Sequence, residues 1–207
     1  MSLILVIAKS NISKLRQGST KTYFDSMFEK PEDYISYMER GFAETNTQYL
    51  QLIPYVLLKN KDTIFSYQRS KKNSGEKRLG GKYSIGVGGH IDYKKDYDNM
   101  SLVEIIRDSA LRELQEEVGL SVSGADLTFD GFVYNTDDSQ GLVHLGVAMS
   151  VNVADLLDSE IFTKGETHIL LNREFLTLKE LEANSNRYEA WSKLLIDSLN
   201  TEKSYDN

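Results

Sequence analysis

Three glutamates near the middle of the chain have the spacing of a metal site. Glu113, Glu116 and Glu117 stand at positions i, i+3 and i+4, which places their side chains on one face of an α-helix. Like charges at this spacing repel one another, so the arrangement needs a compensating partner. Mg²⁺ and Mn²⁺ are suitable because they bind carboxylate oxygens and keep other positions for water or phosphate oxygens. A solvated acidic helix face is the alternative interpretation, because such patterns are common on exposed helices.

The residues around the glutamates predict the helix that must carry them. Ser101 and Glu104 have the pattern of a capping box, which favours a helix start at Ser101. Gly119 favours a helix end, because glycine readily adopts the left-handed conformation. One amphipathic helix with its carboxylates near the C-terminal end is therefore predicted. Its core face would carry apolar residues that recur every four positions: Leu102, Ile106, Ala110, Leu114 and Val118.

The same stretch resembles the Nudix box, a motif of the form G-x5-E-x7-R-E-U-x-E-E-x-G-U in which U is apolar. One departure precedes Glu104, because fourteen residues separate it from Gly89 where the motif has five. The extra residues fall within 92–100, and the sequence leaves open whether this insertion borders the substrate pocket or is structural. Asp108 is a candidate to replace Glu104 as the ion-pair partner of Arg112. The residues that match the motif are Glu104, Arg112, Glu113, Leu114, Glu116, Glu117, Gly119 and Leu120.

The resemblance implies both a fold and an activity. The fold is of the α/β class, an α/β/α sandwich with a mixed β-sheet. The activity is that of a pyrophosphohydrolase, which uses Mg²⁺ or Mn²⁺ to hydrolyse a diphosphate linkage in a nucleoside diphosphate joined to another moiety. Arg112 would orient the carboxylates, and the general base would be Glu117 or Glu166, a choice that the sequence leaves open. The implied metal ligands are the carbonyl of Gly88 and the carboxylates of Glu113, Glu116 and Glu117.

Residues on both sides of the box are candidates to bind the substrate. A loop at residues 71–82 is rich in lysine, arginine and glycine, and it either binds substrate phosphates or is a solvated hairpin end. Tyr83, Phe132 and Tyr134 are candidates to stack on a base. The predicted substrate-binding residues are Arg69, Arg78, Lys82 and Tyr134.

Composition restricts the partners of the chain. The 207 residues carry a formal net charge of −7, which disfavours wholesale binding to a nucleic-acid backbone. The absence of cysteine excludes disulfides and thiolate metal sites and is compatible with a cytoplasmic protein. No apolar run approaches the roughly 20 residues of a membrane span. The expected partner is a nucleotide-like diphosphate substrate, with no stable nucleic-acid or membrane partner.

The chain divides into an N-terminal extension at residues 1–45 and a Nudix hydrolase domain at residues 46–207. The extension is predicted to hold a strand at 2–8 and a short helix that begins at Pro31 and ends at Gly41. We expect it to add to the sheet or cover the pocket, and a homodimer contact is an equal alternative. Further strands are predicted at 49–58, 63–69, 127–135 and 142–153. A final helix has a core stripe of Tyr188, Trp191, Leu194, Leu195 and Leu199.

Two other functions are compatible with this fold. A catalytically weak Nudix-fold protein that senses or binds a nucleotide is the main alternative, but such modules often lose box carboxylates and this chain keeps them all. An isomerase of isoprenoid diphosphates would need a catalytic cysteine, and the chain has none.

Overall fold

A computed structural model describes residues 2–12, 15–20, 30–71, 80–156 and 170–205. Two of the predicted site residues, Arg78 and Glu166, lie outside these ranges.

The described residues form one mixed nine-stranded sheet. The main path has the strand order β2-β7-β8-β4-β1-β3, and β5, which pairs with β6 and β9, branches from β4. Strand β4 runs parallel to β8, and the other described pairs are antiparallel. The strands are β1 (Leu3–Ala8), β2 (Gly18–Thr20), β3 (Ile35–Glu39), β4 (Tyr49–Asn60), β5 (Thr63–Arg69), β6 (Tyr83–Ser84), β7 (Thr128–Tyr134), β8 (His144–Asn152) and β9 (Leu170–Thr177).

Helices cover both faces of the sheet. Side chains alternate between the two faces along β4. Leu50 and Leu52 share a core with the helix at Leu102–Glu113. On the other face, Tyr55 and Leu57 share a core with the helices at Leu178–Ala183 and Ala190–Tyr205. This layering confirms the predicted α/β/α sandwich. The helices are α1 (Arg40–Ala43), α2 (Leu102–Glu113), α3 (Leu178–Ala183) and α4 (Ala190–Tyr205).

The N-terminal region differs from the prediction at one element. The helix expected from Pro31 to Gly41 is wrong, because Pro31–Asp33 forms only a 3₁₀ turn and Ile35–Glu39 is strand β3. Strand β3 pairs with β1 from Leu3 opposite Glu39 to Ile7 opposite Ile35. An open edge of β1 offers backbone hydrogen bonds that outweigh the local helix signal at Pro31. The extension therefore adds to the sheet, which is one of its expected roles.

Candidate active site

Helix α2 begins as the sequence predicts. The Ser101 hydroxyl accepts the Glu104 backbone N–H at 3.3 Å, and the Glu104 carboxylate accepts the Ser101 N–H at 2.8 Å. The Glu104 carboxylate is used in this capping box at the helix start. Glu104 makes no described contact with Arg112. Asp108 is occupied as well, because it accepts hydrogen bonds from Lys94 and the Tyr97 hydroxyl, both at 2.6 Å. The expectation that Asp108 pairs with Arg112 is therefore wrong.

Arg112 instead joins the box helix to the glycine turn at residues 88–90. One terminal nitrogen donates to Glu113 Oε1 at 2.6 Å and to the His90 carbonyl at 2.9 Å. The other terminal nitrogen donates to Glu116 Oε2 at 2.8 Å. A single guanidinium thus orients two of the three box carboxylates, and its planar shape suits this geometry.

Two glycines allow the turn to approach the helix closely. A Cβ atom at Gly89 would lie 2.3 Å from Glu113 Oε1, and a Cβ atom at Gly88 would lie 1.7 Å from the Pro54 carbonyl oxygen. Glu113 is only 8% exposed in this contact. Its burial raises the pKa of the carboxyl group, and the adjacent Arg112 opposes that rise. A side chain at Gly89 would push the turn away from Glu113, and one at Gly88 would clash with the β4 backbone at Pro54.

The C-terminal end of the box helix is wider than a regular α-helix. Residues Leu114–Val118 form a π-helical turn, and Gly119 ends it in the left-handed conformation with φ 72°. Glu116 is exposed, whereas Glu117 is half-buried and its charge reaches Arg69.

The described residues include oxygen donors of the kind that bind Mg²⁺, but these donors do not converge on one point. The Arg112-held carboxylates and the glycine turn supply only oxygen donors, which suit Mg²⁺ or Mn²⁺. In the described parts of the chain, however, no three acidic or histidine side chains converge as a set of metal ligands. Arg112 occupies one oxygen each of Glu113 and Glu116.

A cavity of about 110 Å³ opens beside the glycine turn. Gly88 and Gly89 belong to its wall, so the cavity adjoins the buried carboxylate of Glu113. Arg69 and Lys82 line the same cavity and give it two positive charges.

Arg69 connects the cavity to the box glutamates. Its guanidinium carbon lies 5.5 Å from the centre of the Tyr67 ring, and its Nε atom is buried with no hydrogen-bond partner in the described part of the chain. Burial lowers the pKa of Arg69, but the acidic groups of Tyr67 and Glu117 outweigh that effect and raise it. The side chain is therefore a permanent cation at the cavity wall.

Two histidines form another part of the wall. Burial, with the nearby charges of Arg40, His144 and Arg112, lowers the pKa of His90 to about 3, so its ring is neutral at physiological pH. His90 Nε2 lies 3.0 Å from Gln51 Oε1, and the His90 and His144 rings meet edge to face at 5.5 Å. Both rings are wall residues of the cavity.

The sequence and the fold were compared with those of known proteins. No family model matches the chain. Protein YmaB of Bacillus subtilis is 30% identical over 165 residues, which cover 78% of this chain and 77% of that protein. The solved structure of Tm1382, described as a candidate Nudix hydrolase, superposes with a TM-score of 0.74 at 26% identity and covers 95% of this chain and 97% of its own.

The chain belongs to the Nudix hydrolase superfamily. A Nudix hydrolase from Nitrosomonas europaea shares the fold at a TM-score of 0.51 and 15% identity, over 72% of this chain and 86% of its own. No helix in the described ranges is long and apolar enough to cross a membrane.

The structure brings most of the predicted Nudix residues together. The box helix and the glycine turn assemble Gly88, Arg112 and the three glutamates, and the neighbouring cavity includes Arg69 and Lys82. Tyr134 lies on β7 opposite Gly18 of β2, is 8% exposed, and is not part of the cavity wall. Its role stays a prediction, as do those of Arg78 and Glu166.

The cavity residues that were not predicted from the sequence include Asn135, Glu189 and Trp191. Trp191 was interpreted as core because it falls on the apolar stripe of the last helix, yet it stands at the helix start and lines the cavity. Glu189 precedes the helix and accepts the backbone N–H groups of Trp191 at 2.8 Å and Ser192 at 3.0 Å. An acid just before a helix start is a recognisable cap signal, whereas nothing local marks Asn135.

The loop that carries Asn135 is held from both sides. Within the loop, Asp138 Oδ1 accepts the Gly141 backbone N–H at 2.8 Å. From outside, Gln17 donates to Asp137 at 2.7 Å and Lys9 donates to the Leu142 carbonyl at 2.7 Å. Residues of the N-terminal extension thus fix one wall of the cavity.

Proposed function

We propose that this Nudix-superfamily protein is a metal-dependent hydrolase that cleaves the diphosphate linkage of a nucleoside diphosphate joined to another moiety, by attack of water at phosphorus. One observation carries the proposal. Glu113, held by Arg112, lies against a glycine turn that also lines the cavity containing Arg69 and Lys82. Carboxylates for a hard cation and cations for phosphate oxygens therefore meet at one turn of the backbone.

The proposed roles follow from the position of each side chain. Glu113, Glu116, Glu117 and the Gly88 carbonyl would hold Mg²⁺ or Mn²⁺. When bound, the metal ion would neutralise phosphate charge and lower the pKa of a coordinated water. Arg112 orients the two carboxylates that it contacts.

Other residues near the proposed metal ligands would bind the substrate and accept the proton of the attacking water. Arg69 and Lys82 would bind phosphate oxygens, because both cations line the cavity. Glu117 is the described candidate for the general base, and Glu166 is the second. Phosphoryl transfer depends mainly on positioning and charge neutralisation, which this arrangement supplies.

The first experiment is a hydrolysis assay across nucleotides, sugar nucleotides and dinucleoside polyphosphates, with Mg²⁺ and with EDTA. We expect release of phosphate or of a nucleoside monophosphate from at least one substrate with Mg²⁺ and none with EDTA. Hydrolysis that persists in EDTA would contradict the metal assignment. Silence across the panel, with nucleotide binding retained, would favour a nucleotide-binding protein instead.

A substitution at Glu116 tests the metal site directly. Glu116→Gln should abolish Mg²⁺-dependent turnover, because it removes the negative charge of an exposed ligand. We expect a loss of at least about 100-fold in kcat, measured together with the thermal unfolding midpoint. Glu182→Gln is the matched control, since Glu182 is an exposed helical glutamate on α3. Unchanged turnover in Glu116→Gln would rule out Glu116 as a metal ligand.

A further inference from the structure

The cavity wall includes buried hydrogen-bond donors that have no acceptor. Asn135 is only 2% exposed, and its Oδ1 atom accepts the Asp137 backbone N–H at 3.2 Å. Its Nδ2 group has no acceptor in the described part of the chain, and neither does Arg69 Nε. An unsatisfied buried donor is unfavourable, so an acceptor brought by a ligand would remove that penalty.

The acceptors of the same cavity are already used within the protein. Glu189 accepts the Tyr55 hydroxyl at 2.5 Å, the Ser192 hydroxyl at 2.6 Å and two backbone N–H groups. Asp138 Oδ1 accepts the backbone N–H groups of Gln140 and Gly141. The cavity thus offers donors rather than acceptors, which favours a ligand rich in carbonyl, ring-nitrogen or phosphate acceptors.

Trp191 gives the cavity an aromatic wall that is fixed in place. The indole meets the Tyr55 ring edge to face, at 5.6 Å and 89°. A Cβ atom at Gly146 would lie 3.2 Å from Trp191 Cε3 and Cζ3, so the ring packs directly on the β8 backbone. Ile53 and Ala190 add apolar surface to the same cavity. A fixed indole beside apolar surface is suited to contact with a planar ring.

The three aromatic residues first considered for base stacking are less accessible. Phe132 is 1% exposed, and Tyr83 and Tyr134 are each 8% exposed. None of the three belongs to the cavity wall. A base in this cavity would meet Trp191 instead.

We infer that Trp191 and Asn135 form the subsite that selects the nucleoside part of the substrate, with Trp191 contacting the base and the Asn135 amide donating to an acceptor on its edge. This inference rests on the proposed function, because Arg69 and Lys82 of the same cavity are taken to bind the diphosphate. The matching chemistry is a planar heterocycle with a carbonyl or ring-nitrogen acceptor, attached to a diphosphate.

Trp191 supplies the probe, because it is the only tryptophan of the chain. The protein is titrated in EDTA with ADP, GDP, CDP and UDP, and separately with inorganic pyrophosphate, while tryptophan fluorescence is followed. EDTA prevents metal-dependent turnover during the titration. We expect at least one nucleoside diphosphate to quench the fluorescence and to bind about tenfold more tightly than pyrophosphate.

Asn135 is then tested by substitution. Asn135→Asp keeps the shape and an acceptor for Asp137 N–H but removes the donor, and Asn135→Ala removes both. Asn135→Ala should weaken the preferred nucleoside diphosphate about tenfold and leave pyrophosphate affinity unchanged, whereas Asn135→Asp adds a negative charge to the cavity and should weaken both ligands. Asn152→Asp is the matched control, because Asn152 is exposed at the opposite end of β8. Thermal unfolding identifies the variants that remain folded, and calorimetric titration of Trp191→Leu provides a second measure of the subsite.

The outcomes separate this inference from the proposed function. Equal affinity for pyrophosphate and for all four nucleoside diphosphates overturns the inference, and so does unchanged affinity in folded Asn135 variants. Either result leaves Mg²⁺-dependent hydrolysis untouched. Selective binding that depends on Asn135, without hydrolysis of any diphosphate in Mg²⁺, would instead overturn the proposed activity and leave the subsite in place.

Discussion

At the scale of single residues, the site depends on how closely the backbone approaches one carboxylate. Glu113 lies so near Gly89 that no side chain fits between them. Arg112 holds both partners, because it donates to the Glu113 carboxylate and to the carbonyl of His90, the residue after Gly89. Such contacts fix the direction of a carboxylate more strictly than charge attraction alone.

Gly89→Ala is expected to impair catalysis more than folding. The new methyl group would lie 2.3 Å from Glu113 Oε1 and displace either the carboxylate or the turn. A shift of about 1 Å in a catalytic group can cost about 100-fold in rate, so we expect a loss of this order in kcat per folded molecule. Steady-state kinetics and thermal unfolding measure the two effects.

Gly124→Ala is the matched control for the glycine turn. A Cβ atom there would meet nothing closer than 3.7 Å, which is an ordinary contact. Wild-type activity in both alanine variants would show that the close approach at Gly89 is not needed for the reaction.

At the scale of elements, the insertion at residues 92–100 is part of the scaffold. Tyr97 is 5% exposed and belongs to the same core as helix α2. The Tyr93 backbone N–H donates to the Leu3 carbonyl at 2.7 Å, which fastens the insertion to β1. No residue of the insertion lines the cavity. Of the two roles that the sequence left open, the described contacts favour the structural one.

Asp108 holds the insertion on the box helix, and its charge makes that attachment sensitive to pH. Although burial raises the pKa of Asp108, hydrogen bonds from Lys94 and Tyr97 lower it below its usual value. The lowered pKa means that ionised Asp108 stabilises the fold at neutral pH. This contribution is lost as the pH falls through the folded-state pKa, below the ordinary aspartate value of about 3.9.

Asp108→Asn should therefore lower the free energy of unfolding at pH 7 by about 1 kcal/mol or less, since the side chain is 43% exposed and solvent screens the pair. The difference from wild type should shrink on acidification below about pH 3.9. Urea unfolding at several pH values measures both effects. Asp197→Asn, on an exposed position of α4, is the control. A difference that stays constant with pH would contradict the role assigned to the ionised Asp108.

At the scale of the whole molecule, the N-terminal residues are part of the sheet rather than an attachment to it. Strand β1 lies between β3 and β4 in the sheet. Leu5 and Ile7 are fully buried in a core that they share with the box helix. That core also contains Leu102 of the α-helix and Leu114 of the π-helical turn. The site is therefore supported by a core that spans the chain from β1 to the box.

Ile7→Ala tests this support. We expect it to lower the free energy of unfolding by about 2–5 kcal/mol, because it leaves a cavity beneath the box helix. Leu3→Ala on the same strand is the control, since Leu3 is 43% exposed and should cost far less. Equal and small losses in the two variants, measured by urea unfolding, would show that β1 is dispensable for the core.

The sequence alone determined the features that depend on neighbouring residues. The start of the box helix at Ser101, its end at Gly119 and its apolar face follow from capping chemistry and a period near four, and all three are confirmed. Strand β5 has the predicted bounds, because β-branched and aromatic residues between turns specify strands locally. The family resemblance rested on the same local spacing.

Tertiary structure decided the features that depend on residues distant in the chain. The last turn of the box helix is π-helical rather than α-helical, and the partners of Arg112 come from its own helix and from a turn 22 residues away. Strand β3 forms because β1 offers it an edge, against the local helix signal. Asn135 and Trp191 become cavity residues only when the sheet brings the β7–β8 loop to the start of α4. Contacts between distant residues depend on how the whole chain packs, which spacing along the sequence does not encode.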